Sequence, residues 1–183
     1  MTATTLKQTE GPPEGYPDPP AGLSTAAAAL DPAMVWQRIE AYTAWRWSER
    51  AVTWIVAVEG GGGWNAPLAP VTSALTVERW QGDGWGPFTA GATPLGGFRL
   101  PNGSYRISGT VGDDESAIPA PVLEAYRRFA EYAAAKPGVP GATSETEIVQ
   151  GIGTKEISRS ASWVARAVQN SGAADLLRPY RRV

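Results

Sequence analysis

Apolar positions recur at helical spacing near residues 35–42, alternate with polar or small ones from residue 52, and return to helical spacing from residue 122. In the first stretch, Val35, Ile39 and Tyr42 lie at i, i+4 and i+7. Asp31 is a good N-cap and Pro32 fits the first turn, so the spacing predicts a helix from Asp31 to about Trp45, with Arg38 and Glu40 outward. Ser24–Leu30 predicts a shorter Ala-rich helix that needs packing to persist. Val52, Trp54, Val56 and Val58 then alternate with Thr53, Ile55 and Ala57, the pattern of a largely buried strand. Gly60–Gly63 ends it as a loop, and Trp64-Asn65 stands where a phosphate loop needs Lys and Ser or Thr.

Val71–Trp80 is a second strand, Gln81–Gly84 its turn, and Trp85–Phe88 the start of the return. Phe98–Leu100 and Ser104–Ile107 flank Pro101-Asn102-Gly103 and predict a hairpin. A two-residue Asn-Gly turn sets Arg99 opposite Arg106, where like charges repel. A type I turn with Gly103 left-handed shifts the register by one and is preferred. Tyr105, Ile107 and Val111 then share a face.

The most regular amphipathic stripe is Val122, Tyr126, Phe129 and Ala133, in a helix from about Pro119 to Lys136 that Pro137-Gly138 ends. Glu124 is placed to pair with Arg127 or Arg128, and Glu131 with Arg128. Glu145–Ile157 reads as a weak or edge strand. Ser160 caps a last helix to about Asn170, Ser171-Gly172 breaks it, Ala173–Leu177 adds a turn or two, and Arg178–Val183 is an extended basic tail. The fold class expected is α+β: a small helical body of about four helices with a β-rich middle insertion over 51–111. Residues 1–23 form an extended Pro/Gly-rich arm, 24–172 the main domain, and 173–183 a C-terminal docking tail.

Composition narrows the chemistry. The 183 residues include neither His nor Cys, which removes Cys/His zinc sites, His-dependent triads, disulfides and His-ligated haem. A net charge of −2 lacks the cationic excess of a general nucleic-acid binder. No apolar run approaches the ~20 residues of a membrane span, and the N-terminus has no secretory pattern, so neither membrane nor leader is expected. The arm offers few sizeable anchors, Tyr16 and Leu23 among them, which assigns it to contacts with neighbouring chains.

Three constellations stand out. Eight Trp suggest either packing and subunit contact or, less simply, a sugar-stacking platform. Asp113, Asp114 and Glu115 are adjacent acids without the spacing of a calcium loop. A glycosidase would need an opposed carboxylate, for which Glu78, Glu124 and Glu131 are the nominees and nothing selects one. The expectation is a protein without catalysis, metal or cofactor. The third constellation is the tail: Leu176, Leu177 and Tyr180 as anchors, Pro179 as a stiffener, and Arg178, Arg181 and Arg182 as forks for partner carboxylates or, more weakly, for DNA phosphates.

The YRRFAEY stretch at 126–132, the GSYRISGTVG strand at 103–112 and the ending ARAVQNSGAADLLRPYRRV at 165–183 resemble the head–tail connector, or adaptor, proteins of long-tailed bacteriophages. RIEAYTAWRW at 38–47, followed by Trp54-Ile55-Val56, looks most like the adaptor of alphaproteobacterial gene transfer agents. The resemblance covers about Leu30 to Val183 and is most specific at Ser171, Gly172, Ala173, Leu176, Leu177, Pro179, Tyr180, Arg181 and Arg182. It implies a structural virion protein made in the bacterial cytoplasm: a ring homo-oligomer, a dodecamer, between portal and tail. It implies as neighbours the portal protein at the C-terminal tail (residues 176–182) and a tail-side stopper or terminator. Capsid protein is the expected neighbour of the N-terminal arm. Packaged DNA passes through the ring without specific binding. The other classes kept open are a Trp-rich carbohydrate-binding module and a carboxylate-dependent hydrolase.

Overall fold

A computed structural model describes residues 2–94, 96–113, 117–135, 142–146, 156–159 and 166–182. In chain order the elements are β1 (Thr2–Glu10), α1 (Thr25–Ala28), α2 (Pro32–Thr43), β2 (Arg50–Glu59), β3 (Gly62–Trp64), β4 (Thr76–Trp80), β5 (Trp85–Pro87) and β6 (Gly91–Ala92). There follow β7 (Phe98–Leu100), β8 (Gly103–Val111), α3 (Ala120–Ala134), β9 (Ala142–Thr146), β10 (Glu156–Arg159), α4 (Ala167–Asn170) and α5 (Ala173–Leu177), with a 3₁₀ turn at Arg178–Tyr180. The class is α+β, with the β-rich stretch in the middle of the chain. Two compact units share it: Met1–Pro17, Ala44–Ala117 and Arg182–Val183 in the first, Asp18–Thr43 and Ile118–Arg181 in the second.

The first unit is a five-stranded antiparallel sheet, in the order β1-β2-β8-β4-β5, and a three-stranded sheet β3-β7-β6. Alternation along β2 sends Val52, Trp54, Val56 and Val58 inward. Across the ladder Trp54 faces Ile107 and Val56 faces Tyr105. Trp64, Leu100 and Phe98 of the smaller sheet join the same core, with the Trp54 and Trp64 rings 5.3 Å apart, edge to face. Gly112 ends β8 at φ 100°, where a Cβ would overlap the Ser48 carbonyl, so only glycine fits.

The second unit buries Val35, Trp36 and Ile39 of α2 and Val122, Ala125, Tyr126, Phe129 and Ala130 of α3. The Trp36 and Tyr126 rings meet at 5.0 Å. Ser24 caps α1 by accepting from the Ala27 N–H, and its own N–H and hydroxyl donate to Glu131 at 2.7 and 2.8 Å. Asp31 accepts from the Ala33 N–H at the start of α2.

Several expectations need correction. Residues 2–10 are not a free arm: they form β1, an edge strand paired with β2 from Thr2↔Glu59 to Glu10↔Val52. Thr-rich alternation supplies the β-branched residues a strand wants. The Pro101-Asn102-Gly103 hairpin does not form, because β7 pairs with β3 and β6 whereas β8 pairs with β2 and β4. The Arg99–Arg106 conflict is thus resolved by a different partner: Arg106 lies opposite Glu78 and donates to it at 2.6 and 2.9 Å. Glu40, expected outward, is buried, and Ala133, expected inward, is exposed. Glu131 holds Ser24 rather than Arg128. Gly62 and Gly63 belong to β3, and the strand expected from Val71 starts at Thr76 after an isolated Val71↔Val111 bridge. Of the weak strand expected over Glu145–Ile157, the two described ends are strand and pair with each other, β9 with β10, while residues 147–155 lie outside the described residues. Among the described residues there are five α-helices, in keeping with the small helical body expected, and the tail through Tyr180 is a 3₁₀ turn rather than extended. Lys136, Pro137, Gly138 and Ser160 lie outside the described residues.

Candidate functional site

The C-terminal end is built from a break and an anchor. Ser171 stops α4, its hydroxyl donating to the Val168 carbonyl and accepting from the Ala173 N–H. Gly172 turns the chain in the left-handed region, φ 74°. Helix α5 follows, with Ala173 and Leu177 fully buried. Leu177 is therefore a core residue of its own unit, and of the apolar anchors assigned to docking only the half-buried Leu176 and Tyr180 remain.

Beyond Leu177 the chain comes to the surface: Arg178, Pro179, Arg181 and Arg182 are exposed. Pro179 sits in the first turn of the 3₁₀ segment, where its missing N–H costs no hydrogen bond. The Arg181 guanidinium lies over the Tyr42 ring, 5.4 Å from its centroid. Arg182 donates to the carbonyls of Ala66 and Leu68 at 3.3 and 3.0 Å, at the edge of a cleft of about 700 Å³ lined by Trp45, Pro67, Val71 and Phe98. Among the described residues none of Arg178, Arg181 and Arg182 forms an ion pair.

The other constellations fare differently. Trp36, Trp47, Trp54 and Trp64 are buried and Trp45 and Trp85 half-buried, which leaves Trp80, 44% exposed and beside Trp85, as the start of a platform. Those two rings meet edge to face at 5.3 Å, and Arg106 covers Trp85 at 5.2 Å. Trp163, Asp114 and Glu115 lie outside the described residues. Each nominated carboxylate is engaged elsewhere. Hydrogen bonds from Arg106 hold Glu78 below its usual range. Those from Arg127 and Arg128 take Glu124 to about 2, leaving it ionised and unsuited to proton donation at neutral pH. The Ser24 N–H and hydroxyl lower Glu131. The described residues contain no group of three or more acids that could hold a metal ion, and no helix among them is long and apolar enough to cross a membrane.

Sequence reasoning missed a charged cluster at the end of β1. Arg46 donates to Glu10 at 2.6 and 2.9 Å, in a bidentate fork, and Arg50 approaches the same carboxylate at 3.8 Å. Arg50 also lies over the Tyr16 ring at 5.6 Å. Burial raises the Glu10 carboxyl, and the Arg46 hydrogen bond and charge, with Gln8 and Arg50, overcome it, so the group sits below its ordinary 4.5. The partners are 36 residues apart in sequence, and no local motif links them.

No family model, curated protein or solved structure matches the chain.

Proposed function

We propose that this chain is a structural head–tail adaptor, a subunit of a ring that joins the portal of a phage-like particle to its tail around the DNA exit path. The observation that carries the reading is the C-terminal end: a helix seated by the fully buried Leu177, followed at once by surface Arg178, Pro179, Arg181 and Arg182. A seated base with a cationic tip suits docking onto carboxylates, since guanidinium forks match them bidentately and a proline limits the entropy lost. The portal is the partner assigned to this tip, and a stopper or tail terminator protein is the neighbour on the far side. The ring is a dodecamer in the particle, on the resemblance of residues 171–182 and 126–132 to adaptor proteins, and the subunits are made in the bacterial cytoplasm. A net charge of −2 suits a channel wall that lets DNA slide without gripping it.

The test keeps Leu177, since its loss would damage the fold. A strain whose adaptor ends at Leu177 is expected to accumulate DNA-filled, tailless heads, with the purified truncated chain giving the native circular dichroism spectrum. Normal tailed particles would remove the tip from the mechanism. Binding to an empty portal separates carboxylate contacts, which persist without DNA, from phosphate contacts, which do not. The exposed Trp80 beside Trp85 favours a second reading, a sugar-stacking surface, and calorimetric titration with cell-wall glycans decides it: binding lost in Trp80→Ala supports that reading, and no heat removes it.

A further inference from the structure

The strand β1 stands apart from the rest of its sheet. It lies at the sheet edge and pairs with β2 alone, so withdrawing it breaks no other ladder. It is also joined to β2 not by a turn but through residues 11–49, of which Asp18–Thr43 belong to the second unit. The chain thus contributes one strand to the first unit, builds the first helices of the second, and only then returns.

The contacts of β1 are specific. Gln8 accepts from the Trp54 indole N–H at 2.9 Å, Thr5 accepts from the Trp64 indole N–H at 3.0 Å, and Glu10 takes the Arg46 fork. A groove vacated by β1 would leave two indole donors and two guanidiniums without these acceptors. The strand continues as a strap, with the Gly11 N–H donating to the Ala51 carbonyl and the Glu14 N–H to the Glu49 carbonyl. Between the strap and the α1 cap lies Asp18-Pro19-Pro20-Ala21-Gly22-Leu23. Two prolines favour extended backbone over a tight return, at about 3.1 Å per residue, so this hinge of six residues reaches roughly 19 Å.

We infer that β1 is an exchangeable strand: in the assembled protein it fills the β2-edge groove of a neighbouring copy of this chain, and each copy receives the strand of the next. Every contact seen within one chain is then made between two, at no cost in hydrogen bonds or ion pairs, which is why exchange is an inexpensive route to assembly. Because donor strand and acceptor groove are different surfaces, a strand passed from each copy to the next is a heterologous contact, the kind that builds a ring when the rotation per subunit closes. The inference rests on the ring assembly proposed above and names the element that links its subunits.

The absence of Cys makes the test direct. Thr9 and Thr53 face each other across the β1–β2 ladder, Thr9 exposed and Thr53 half-buried, and both are replaced by Cys. The full-length Thr9→Cys/Thr53→Cys chain is assembled with or without portal, separated by size, oxidised or treated with a short bis-maleimide, and run on a denaturing gel. Exchange predicts a covalent ladder from dimer upward, which in the oxidised sample collapses to monomer on reduction. An oligomer whose crosslinks all lie within single chains overturns the exchange and leaves the adaptor reading standing. A chain that stays monomeric with and without portal overturns exchange and ring together.

Discussion

Replacing Glu10 by Gln keeps the shape of the side chain and removes its charge. Arg46 now grips both carboxylate oxygens, at 2.6 and 2.9 Å, and the two arginines involved, Arg46 and Arg50, are nearly buried at their side chains. A glutamine offers one oxygen, so one charge-assisted bond is lost, the other keeps only the charge of Arg46, and two nearly buried guanidiniums lose their counter-charge. Bonds to charged groups contribute about 1.5–3 kcal/mol and neutral ones about 1 kcal/mol. Removing one partner of a fully buried pair costs about 3–5 kcal/mol, and the 23% exposure of Glu10 places this site below that range. The expected loss is about 2–3 kcal/mol, or about 5–10 °C in melting temperature for a chain of this length. The pH response carries a second signature. The folded carboxyl lies below 4.5, so between its folded and ordinary values the unfolded chain binds more protons, and stability rises with pH. The contribution is complete above about 4.5 and is lost as pH falls through the folded value. Urea unfolding of wild type and Glu10→Gln at a series of acidic pH values measures both effects. A loss under about 0.5 kcal/mol with an unchanged pH slope would refute the role given to the Arg46 fork.

Three further outcomes are expected. Phe129→Ala, at a site 2% exposed, should cost about 3–5 kcal/mol by denaturant unfolding of the helical unit, and a cost under 1 kcal/mol would show a site that collapses freely. The Glu124 carboxyl should titrate by NMR near 2 and move up toward 4.5 in Arg127→Gln/Arg128→Gln; a midpoint unchanged between the two would deny the arginines their part. Gly112→Ala, forced against the Ser48 carbonyl at φ 100°, should lower expression or melting temperature sharply, whereas Gly82→Ala, with φ 102° but open space around it, should cost less; equal losses would mean that backbone strain alone acts.

What the sequence made legible was local and periodic. The alternation from Val52 to Val58 and the stripe through Val122, Tyr126 and Phe129 both mark buried faces, because a strand or helix repeats its contacts at the period of its backbone. Pairing between distant segments was not legible. Pro101-Asn102-Gly103 has good turn chemistry, yet turn residues do not state which sheet each flanking strand joins. The opposed arginines were a true warning, and the answer lay in Glu78 on another strand. At the tail, Arg178 and Pro179 are exposed, and Leu177 reads the same in sequence whether it fills its own core or a partner's pocket. Glu10 was hidden for a related reason: in a Thr-rich segment nothing identifies a carboxylate that closes on Arg46.

The order in which the strands are made has a consequence during synthesis. β1 is completed at residue 10, but the strand it pairs with is not completed until residue 59. At about 5–20 residues per second the first strand waits roughly 2–10 s for its partner. Throughout that interval it is an unpaired, Thr-rich strand on a nascent chain. If β1 exchanges between copies as inferred above, closer spacing of ribosomes would favour closure on the chain translated ahead over closure on its own.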